Sequence, residues 1–406
     1  MFEFLAKLTR RCKKGNKKPI IRLRADHCIS RKNIDKTALK VLYRLANLGY
    51  TAYLVGGGVR DLLLGRTPKD FDVATDARPN EVKRAFRNCF LVGRRFRLAH
   101  ICFGPGKIVE TATFRKDSQS VGEIIEHASE GPFEDNTFGT PETDAYRRDF
   151  TVNGLFYDIT TFSVIDWVGG LEDLEKRVIR SIGDPMIRFR EDPVRMMRAI
   201  KFSSRLGFTI EKKTLSAIKE LHSNILTASV PRLCEEIFRL FSYGVSMPAF
   251  KMMYNYGLMK DLMPELADFI AKDGGENSIV WKHLQALDEY EKEMLKKHAD
   301  GVSNSIRAAV LYSAMAKEIG SRNALSTFSK SMKIPKQVYF SSILLIDSAK
   351  RLSIAPARGK KRFVYNRDFK SALIYNRIMA KAEKRDLSVL KEWEELYLSS
   401  TKERTR

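Results

Sequence analysis

Asp70 and Asp72 stand two residues apart in the stretch YLVGGGVRDLLLGRTPKDFDVAT, behind a triple glycine and an Arg-Asp pair. If DFDVAT is a strand, alternate residues share a face. Both carboxylates then project the same way, about 7 Å apart. Two like charges so placed are unfavourable unless a cation lies between them. Hard oxygen ligands suit Mg²⁺ or Mn²⁺, and two-metal phosphoryl or nucleotidyl transfer needs such a pair. Glu110, mid-strand in KIVETATFR, supplies a third acid. A carboxylate there is costly unless it is paired or metal-bound; a salt bridge to Arg115 is the competing reading.

Other groups could handle the rest of a nucleotide. Gly56, Gly57 and Gly58 follow the strand-like TAYLV and precede the helix-like VRDLLLG. Glycines there let backbone approach a phosphate, and Arg60 adds charge. The segment is neither GxGxxG nor GK[ST], which excludes dinucleotide-fold and P-loop readings. In RRDFTVN, Arg147 and Arg148 are bidentate donors suited to phosphate. Asp149 lies beside them, and Asn153 suits either a ribose hydroxyl or a turn. In REDPVRMMRA, Glu191, Arg195 and Arg198 recur at i, i+4 and i+7, on one helical face. Asp192 with Pro193 also reads as an N-cap and N1 pair. An Asp/Arg pair can imitate a Watson–Crick edge; a helix-surface salt bridge is the alternative. Met196 and Met197 read as core.

The elements that must position these groups follow from patterning. Residues 1–33 are basic and read as a flexible arm. Helical spacing follows at Ala38, Leu39, Leu42, Leu45 and Ala46, then TAYLV, DFDVAT, a helix at ARPNEVKRAFRNC with Pro79 near its start, and a strand pair, FLVGRRFRLAHICFG with KIVETATFR. This gives a mixed α/β head over residues 34–160. Lys116 to Tyr146 is polar and irregular. From Arg188 helical patterns dominate, dividing into a neck over 161–270 and a body and tail over 271–406.

Composition bounds the partners. The chain has 406 residues, with Lys plus Arg 72 against Asp plus Glu 49, a net charge of +23. Such an excess attracts polyanions, nucleic acid first and an anionic membrane surface second. Five scattered cysteines without CxxC fit a reducing, cytoplasmic compartment and no zinc site. No apolar run reaches transmembrane length.

In order, GGGVRD with DFD, RRDFTVNGL, DWVGGLEDL, REDPVRMMRA and PRLCEE resemble the class II nucleotidyltransferases with polymerase β-like heads, and among them the bacterial poly(A) polymerase and CCA-adding tRNA nucleotidyltransferase family. The resemblance runs from about Asn33 to Tyr243. It implies an α+β fold: a polymerase β-like head with a small mixed sheet, then an all-helical neck, body and tail. It implies that Asp70 and Asp72 bind metal, with Glu110 as third catalytic carboxylate, and that Gly56, Gly57, Arg60 and Asp61 contact phosphate. Arg147, Arg148, Asp149 and Asn153 match a segment for ribose and triphosphate. Asp166, Gly169, Gly170 and Asp173 match a head–neck link, Glu191, Asp192, Arg195 and Arg198 a base-reading segment, and Arg232, Glu235 and Glu236 its buttress. Arg94, Arg95 and Arg97 in LVGRRFRLAHI resemble the signature of the poly(A) polymerases. The implied activity is addition of AMP from ATP to RNA 3′ ends (mRNA, small RNA or tRNA), with Mg²⁺ or Mn²⁺ and release of pyrophosphate. CCA addition to tRNA is the alternative, and a non-catalytic RNA-binding protein the minor one. KKPIIRLR and ARGKKRFVYNR, with Tyr365 and Phe369, are candidate RNA contacts.

Overall fold

Short strands with alternating burial build a single sheet around the carboxylates. The structure is a computed structural model that describes residues 18–93, 97–104, 106–116, 138–299, 301–356 and 361–405. Arg94, Arg95 and residues 1–17 of the expected arm lie outside those residues. The chain divides into two compact units, Met1–Asp184 and Pro185–Arg406.

In the first unit, β1 (Ile20–Arg22), β2 (Ala52–Val55), β3 (Asp72–Thr75), β4 (Cys89–Val92), β5 (Leu98–Cys102), β6 (Ile108–Thr113), β7 (Leu155–Asp158) and β8 (Ser163–Asp166) form one sheet. Its order is β1-β8-β7-β2-β3-β6-β5-β4. Neighbours are antiparallel except β3 with β6. A parallel pair requires a crossover; here it is the helix Pro79–Ala85 followed by the β4–β5 hairpin.

Register partners share a face. Ile165, Phe156, Val55 and Asp72 are successive partners across β8, β7, β2 and β3. That face is apolar where Val55, Ala74, Phe114, Phe156 and Ile165 pack with Ala145, and Trp167 meets Phe156 edge-on at 5.1 Å. Its polar part holds the acids. Helices cover the opposite face. Of these, α1 (Lys36–Asn47) buries Ala38, Val41, Leu42 and Leu45, and its N-cap Asp35 accepts the Thr37 amide at 2.7 Å. Twelve residues are marginal as an isolated helix. Burial of such side chains, about 1.5–3 kcal/mol for each large one, is what holds α1 in place.

Two expectations change. Ile20–Arg22 is an edge strand against β8, so the arm reading fails for the end of residues 1–33; the I-I-R stretch finds a free sheet edge. FLVGRRFRLAHICFG is two strands, not one, because Gly93 takes φ +97° between them. The sheet runs past residue 160 through β8, which pairs with β7, and is followed by the helix Gly170–Lys176.

The link motif proves to be architecture. Asp166 accepts the amides of Val168, Gly169 and Leu171, and Asp173 accepts Thr151 Oγ1 and Arg180. The second unit is helical, beginning with Pro185–Glu191, Val194–Leu206, Lys212–Leu221 and Val230–Leu240. Met196 and Met197 are fully buried there, as is Phe369, which packs on Trp393 and leaves no face for a base; Tyr365 is partly exposed. No described helix is long and apolar enough to cross a membrane.

A Cβ on Gly170 would stand 2.2 Å from the Thr151 carbonyl oxygen. Gly170→Ala is expected to destabilise the head by about 1–3 kcal/mol, read as a lower urea midpoint with unchanged slope.

Candidate active site

The strand β3 begins at Asp72, with Asp70 and Phe71 in the segment leading into it. Alternation along a strand therefore fixes Asp72 but not Asp70. Glu110 comes to Asp72 through the parallel register: Val73 pairs with Thr111, so the residues one step earlier neighbour each other on the same face. Asp72 is open to solvent on one side and hemmed by protein on the other. Its carboxyl is pushed up to about 6, by lost solvation first and then by the charge of Glu110; Arg148 pulls it down and Asp70 pushes it up. The three acids thus share one field.

Glu110 is about half exposed and lies 3.7 Å from His100 Nε2, its register partner on β5. His100 belongs to no motif of the sequence; the antiparallel β5–β6 register sets it opposite the acid. Among the described residues, no three His, Cys, Asp or Glu groups converge tightly enough to hold a metal by themselves. Mg²⁺ is commonly bound through one or two carboxylates, the remaining positions going to water and substrate phosphates. Hard donors whose mutual repulsion already lifts the Asp72 carboxyl fit an ion completed by substrate oxygens.

The arginines divide by role. Gly56 takes φ +71°, and a Cβ there would meet Arg148 Nη1 at 2.9 Å, so a bare backbone is needed for Arg148 to pass. Gly57 is less demanding: its Cβ would make ordinary contact with Arg60 at 3.5 Å. Arg60 is 1% exposed. It pairs with Asp61 at 2.7 Å and donates through Nη1 to Asn153 Oδ1 at 2.5 Å. Asn153 in turn donates to Asp149 Oδ1 at 3.1 Å, which also accepts the Phe150 amide. A guanidinium this deep is tolerable only because it is paired and hydrogen-bonded. Arg60, Asp61, Asp149 and Asn153 therefore brace the turn beside Gly56 through one another.

Arg147 and Arg148 flank Asp144, in the helix Pro141–Tyr146, at 2.7 and 2.9 Å. Burial alone would raise the Asp144 carboxyl, but Arg148 and Arg147 outweigh it and hold the group below its usual range. Arg148 also donates to the Asn153 carbonyl at 3.3 Å and lies 5.0 Å from the Phe156 ring centre. It is the arginine whose charge reaches Asp72. The sequence signal for Asp144 was its spacing, three and four residues before the two arginines.

In the second unit, Glu191 ends one helix and Val194 starts the next. The single continuous helical face expected for Glu191, Arg195 and Arg198 is thus broken at Asp192–Pro193. Pro193, not Asp192, is the N-cap. Glu191 lies 3.2 Å from Arg188 and 3.7 Å from Arg195, so the ion-pair alternative is realised. Arg198 stands over Phe202, 3.7 Å from Glu236. Glu236, 5% exposed, also takes Lys201 and Arg239, and Arg232 donates to Asp192 Oδ2 at 2.9 Å. The buttressing expected of Arg232 and Glu236 is visible in these contacts; Glu235 pairs only with Arg239 among the described residues. Asp192 Oδ1 is buried with no hydrogen-bond partner among them. An orphaned buried carboxylate oxygen is costly and marks a place for an external donor.

Comparison with known proteins follows the same division. The family described as "Poly A polymerase head domain" matches residues 52–180, and "Probable RNA and SrmB- binding site of polymerase A" matches 207–270. The chain is 44% identical to poly(A) polymerase I of Salmonella typhi over 298 residues, 72% of this chain and 62% of that protein. It thus spans less than two thirds of that relative. It is 38% identical to the CCA-adding enzyme of Lactobacillus helveticus over 230 residues, 57% of this chain and 55% of the other. In three dimensions it is similar to the Bacillus stearothermophilus CCA-adding enzyme in complex with CTP, with TM-score 0.64 and 27% identity over 89% of this chain and 82% of that one. The fold is that of the polymerase β-like nucleotidyltransferases.

Asp72 has its folded-state carboxyl raised above its ordinary value. The folded state therefore holds that proton more tightly, and stability is lost as pH rises from about 4 through about 6. In metal-free buffer at pH 7.5, Asp72→Asn is expected to melt above the parent by about 1 kcal/mol, a figure discounted for solvent screening. The gap should close below pH 4, as followed by thermal unfolding.

Proposed function

The chain belongs to the bacterial poly(A) polymerase and tRNA nucleotidyltransferase family, and from that premise we propose that it is a template-independent polynucleotide adenylyltransferase, adding AMP from ATP to RNA 3′ ends with release of pyrophosphate. The observation that carries the chemistry is the raised Asp72 carboxyl, set beside Glu110 and Asp70 and opposed by Arg148. Divalent ions (Mg²⁺ or Mn²⁺) held by Asp70 and Asp72 with Glu110 would supply activation of the primer hydroxyl and neutralisation of charge on the leaving pyrophosphate.

The chain's own groups do the positioning. Arg148, pinned by Asp144 and the Asn153 carbonyl, offers a fixed cation for the triphosphate, with Arg147 on the other carboxylate oxygen. Preorganised charge of this kind needs no rearrangement as negative charge develops. Gly56 leaves the backbone bare beside it. To Asp192 we assign acceptance of a base amino group, since its buried Oδ1 lacks a donor and Arg232 holds the other oxygen. Adenine and cytosine carry an exocyclic amino donor at the relevant edge, whereas uracil and guanine carry an oxygen there. Arg195, Arg198 and Glu191 are assigned to the same recognition segment. The choice of adenine over the C-C-A sequence is supported by the greater similarity to poly(A) polymerase I, 44% identical against 38% for the CCA-adding enzyme.

Primer extension tests this with each labelled nucleoside triphosphate on a generic RNA and on tRNA lacking its 3′ terminus. Tracts of A are expected, with CTP refused. Addition that stops at C-C-A would transfer the protein to the CCA-adding activity, and no extension with intact RNA binding would make it a binding module. Asp72→Ala should lower extension by at least about 10³-fold, and Asp192→Ala should raise incorporation of UTP relative to ATP.

A further inference from the structure

Beside Asp70 the head has a cavity of about 490 Å³ at the sheet end where β3 and β6 begin. Its wall includes Lys32, Lys36, Lys69 and Lys107 together with Asp70 and Ile108. Lys107 is bound to Asp35, 3.0 Å away, and Asp35 is engaged in capping α1. The ammonium groups of Lys32, Lys36 and Lys69 have no ion-pair partner among the described residues. Ile108 is 48% exposed and continues the cavity onto the sheet face that bears Glu110 and Asp72. The cavity is of the size that encloses a small ligand, with an excess of cations and one acid of the reaction site at its inner edge.

We propose that this cavity binds the sugar–phosphate backbone of the RNA primer just upstream of its 3′ end, an inference that rests on the nucleotidyl-transfer reading above. Direction decides between primer and nucleotide. In an in-line displacement at phosphorus, the attacking and leaving oxygens lie on opposite sides. Arg148 lies toward β7, against Phe156 and the Asn153 turn, so a triphosphate held there has its leaving group on that flank. The incoming hydroxyl then arrives from the β3–β6 side, at whose end the cavity lies. Their chemistry agrees: lysines are flexible point charges that take phosphate without fixed geometry. Backbone contacts of that kind fix register without reading sequence. A polymerase that must accept its own growing product needs such contacts next to the reacting end.

The test is the full-length Lys32→Gln/Lys36→Gln/Lys69→Gln variant, with Lys107 left in place because it secures the α1 cap. Anisotropy of a labelled single-stranded oligoribonucleotide is followed over a salt series without nucleotide. Each phosphate contact to a single strand contributes about 0.7 to the salt slope, so the slope should fall by about 2. In steady-state extension, the KM for primer should rise about 10-fold or more while the KM for ATP stays within about twofold. Unchanged slope and primer KM would show these lysines to be merely solvated. A raised KM for ATP with unchanged RNA binding would make the cavity a triphosphate site. Either result overturns the proposal. The binding measurement needs no turnover, so failure of the parent to extend RNA would count against the proposed activity and would be seen separately.

Discussion

Clustered negative charge at the middle of a mixed sheet is the constraint around which the head is organised. Asp72 opens β3, Glu110 lies level with it on β6, and Asp70 completes the group from the preceding segment. Antiparallel neighbours alone would not bring these residues together. The parallel β3–β6 pair does so, at the cost of a crossover through a helix and the β4–β5 hairpin. The apolar side chains Val55, Ala74 and Phe156 pack on the same face, and lost solvation on the protein side, followed by Glu110, raises the Asp72 carboxyl.

The arginine that opposes this charge is held at both terminal nitrogens and over one face. Asp144 fixes one nitrogen, the Asn153 carbonyl another, Phe156 underlies the plane, and Gly56 leaves room for its approach. Beneath it the Arg60–Asp61–Asn153–Asp149 set braces the turn that carries the carbonyl. Buried ion pairs of this kind contribute little net stability compared with apolar packing, yet losing one partner is expensive. Their value here is geometric. The second unit repeats the logic on a smaller scale, with Glu236 receiving Lys201, Arg239 and Arg198 while Arg232 steadies Asp192.

Much of this could be read from residue order. The acids, the glycines, the two arginines and the Asp192 segment stand in motifs whose types announce their chemistry, and Ala38 to Leu45 and TAYLV gave their elements through periodicity. The rest depends on partners distant in sequence or on spacing shared with other readings. Ile20–Arg22 became a strand only because β8 offers an unpaired edge. Asp144 and His100 matter through partners that only register or helix spacing brings near. Charge beside glycines does not announce that Arg60 is buried and donates to Asn153, 93 residues away. Pro193 marks the break before Val194, which the i, i+4, i+7 spacing of the charges masks.

The claim underlying the whole account is that this acidic cluster is a cation site whose occupancy depends on Asp72. Mn²⁺ binding to the nucleotide-free protein, followed by electron paramagnetic resonance from pH 8 to pH 5, measures it directly. The account predicts binding at pH 8 that weakens at least about 10-fold as protonation of Asp72 competes near pH 6, and that is missing from Asp72→Ala throughout. Mn²⁺ binding of equal strength in parent and variant, or the same at both ends of the pH range, would contradict it.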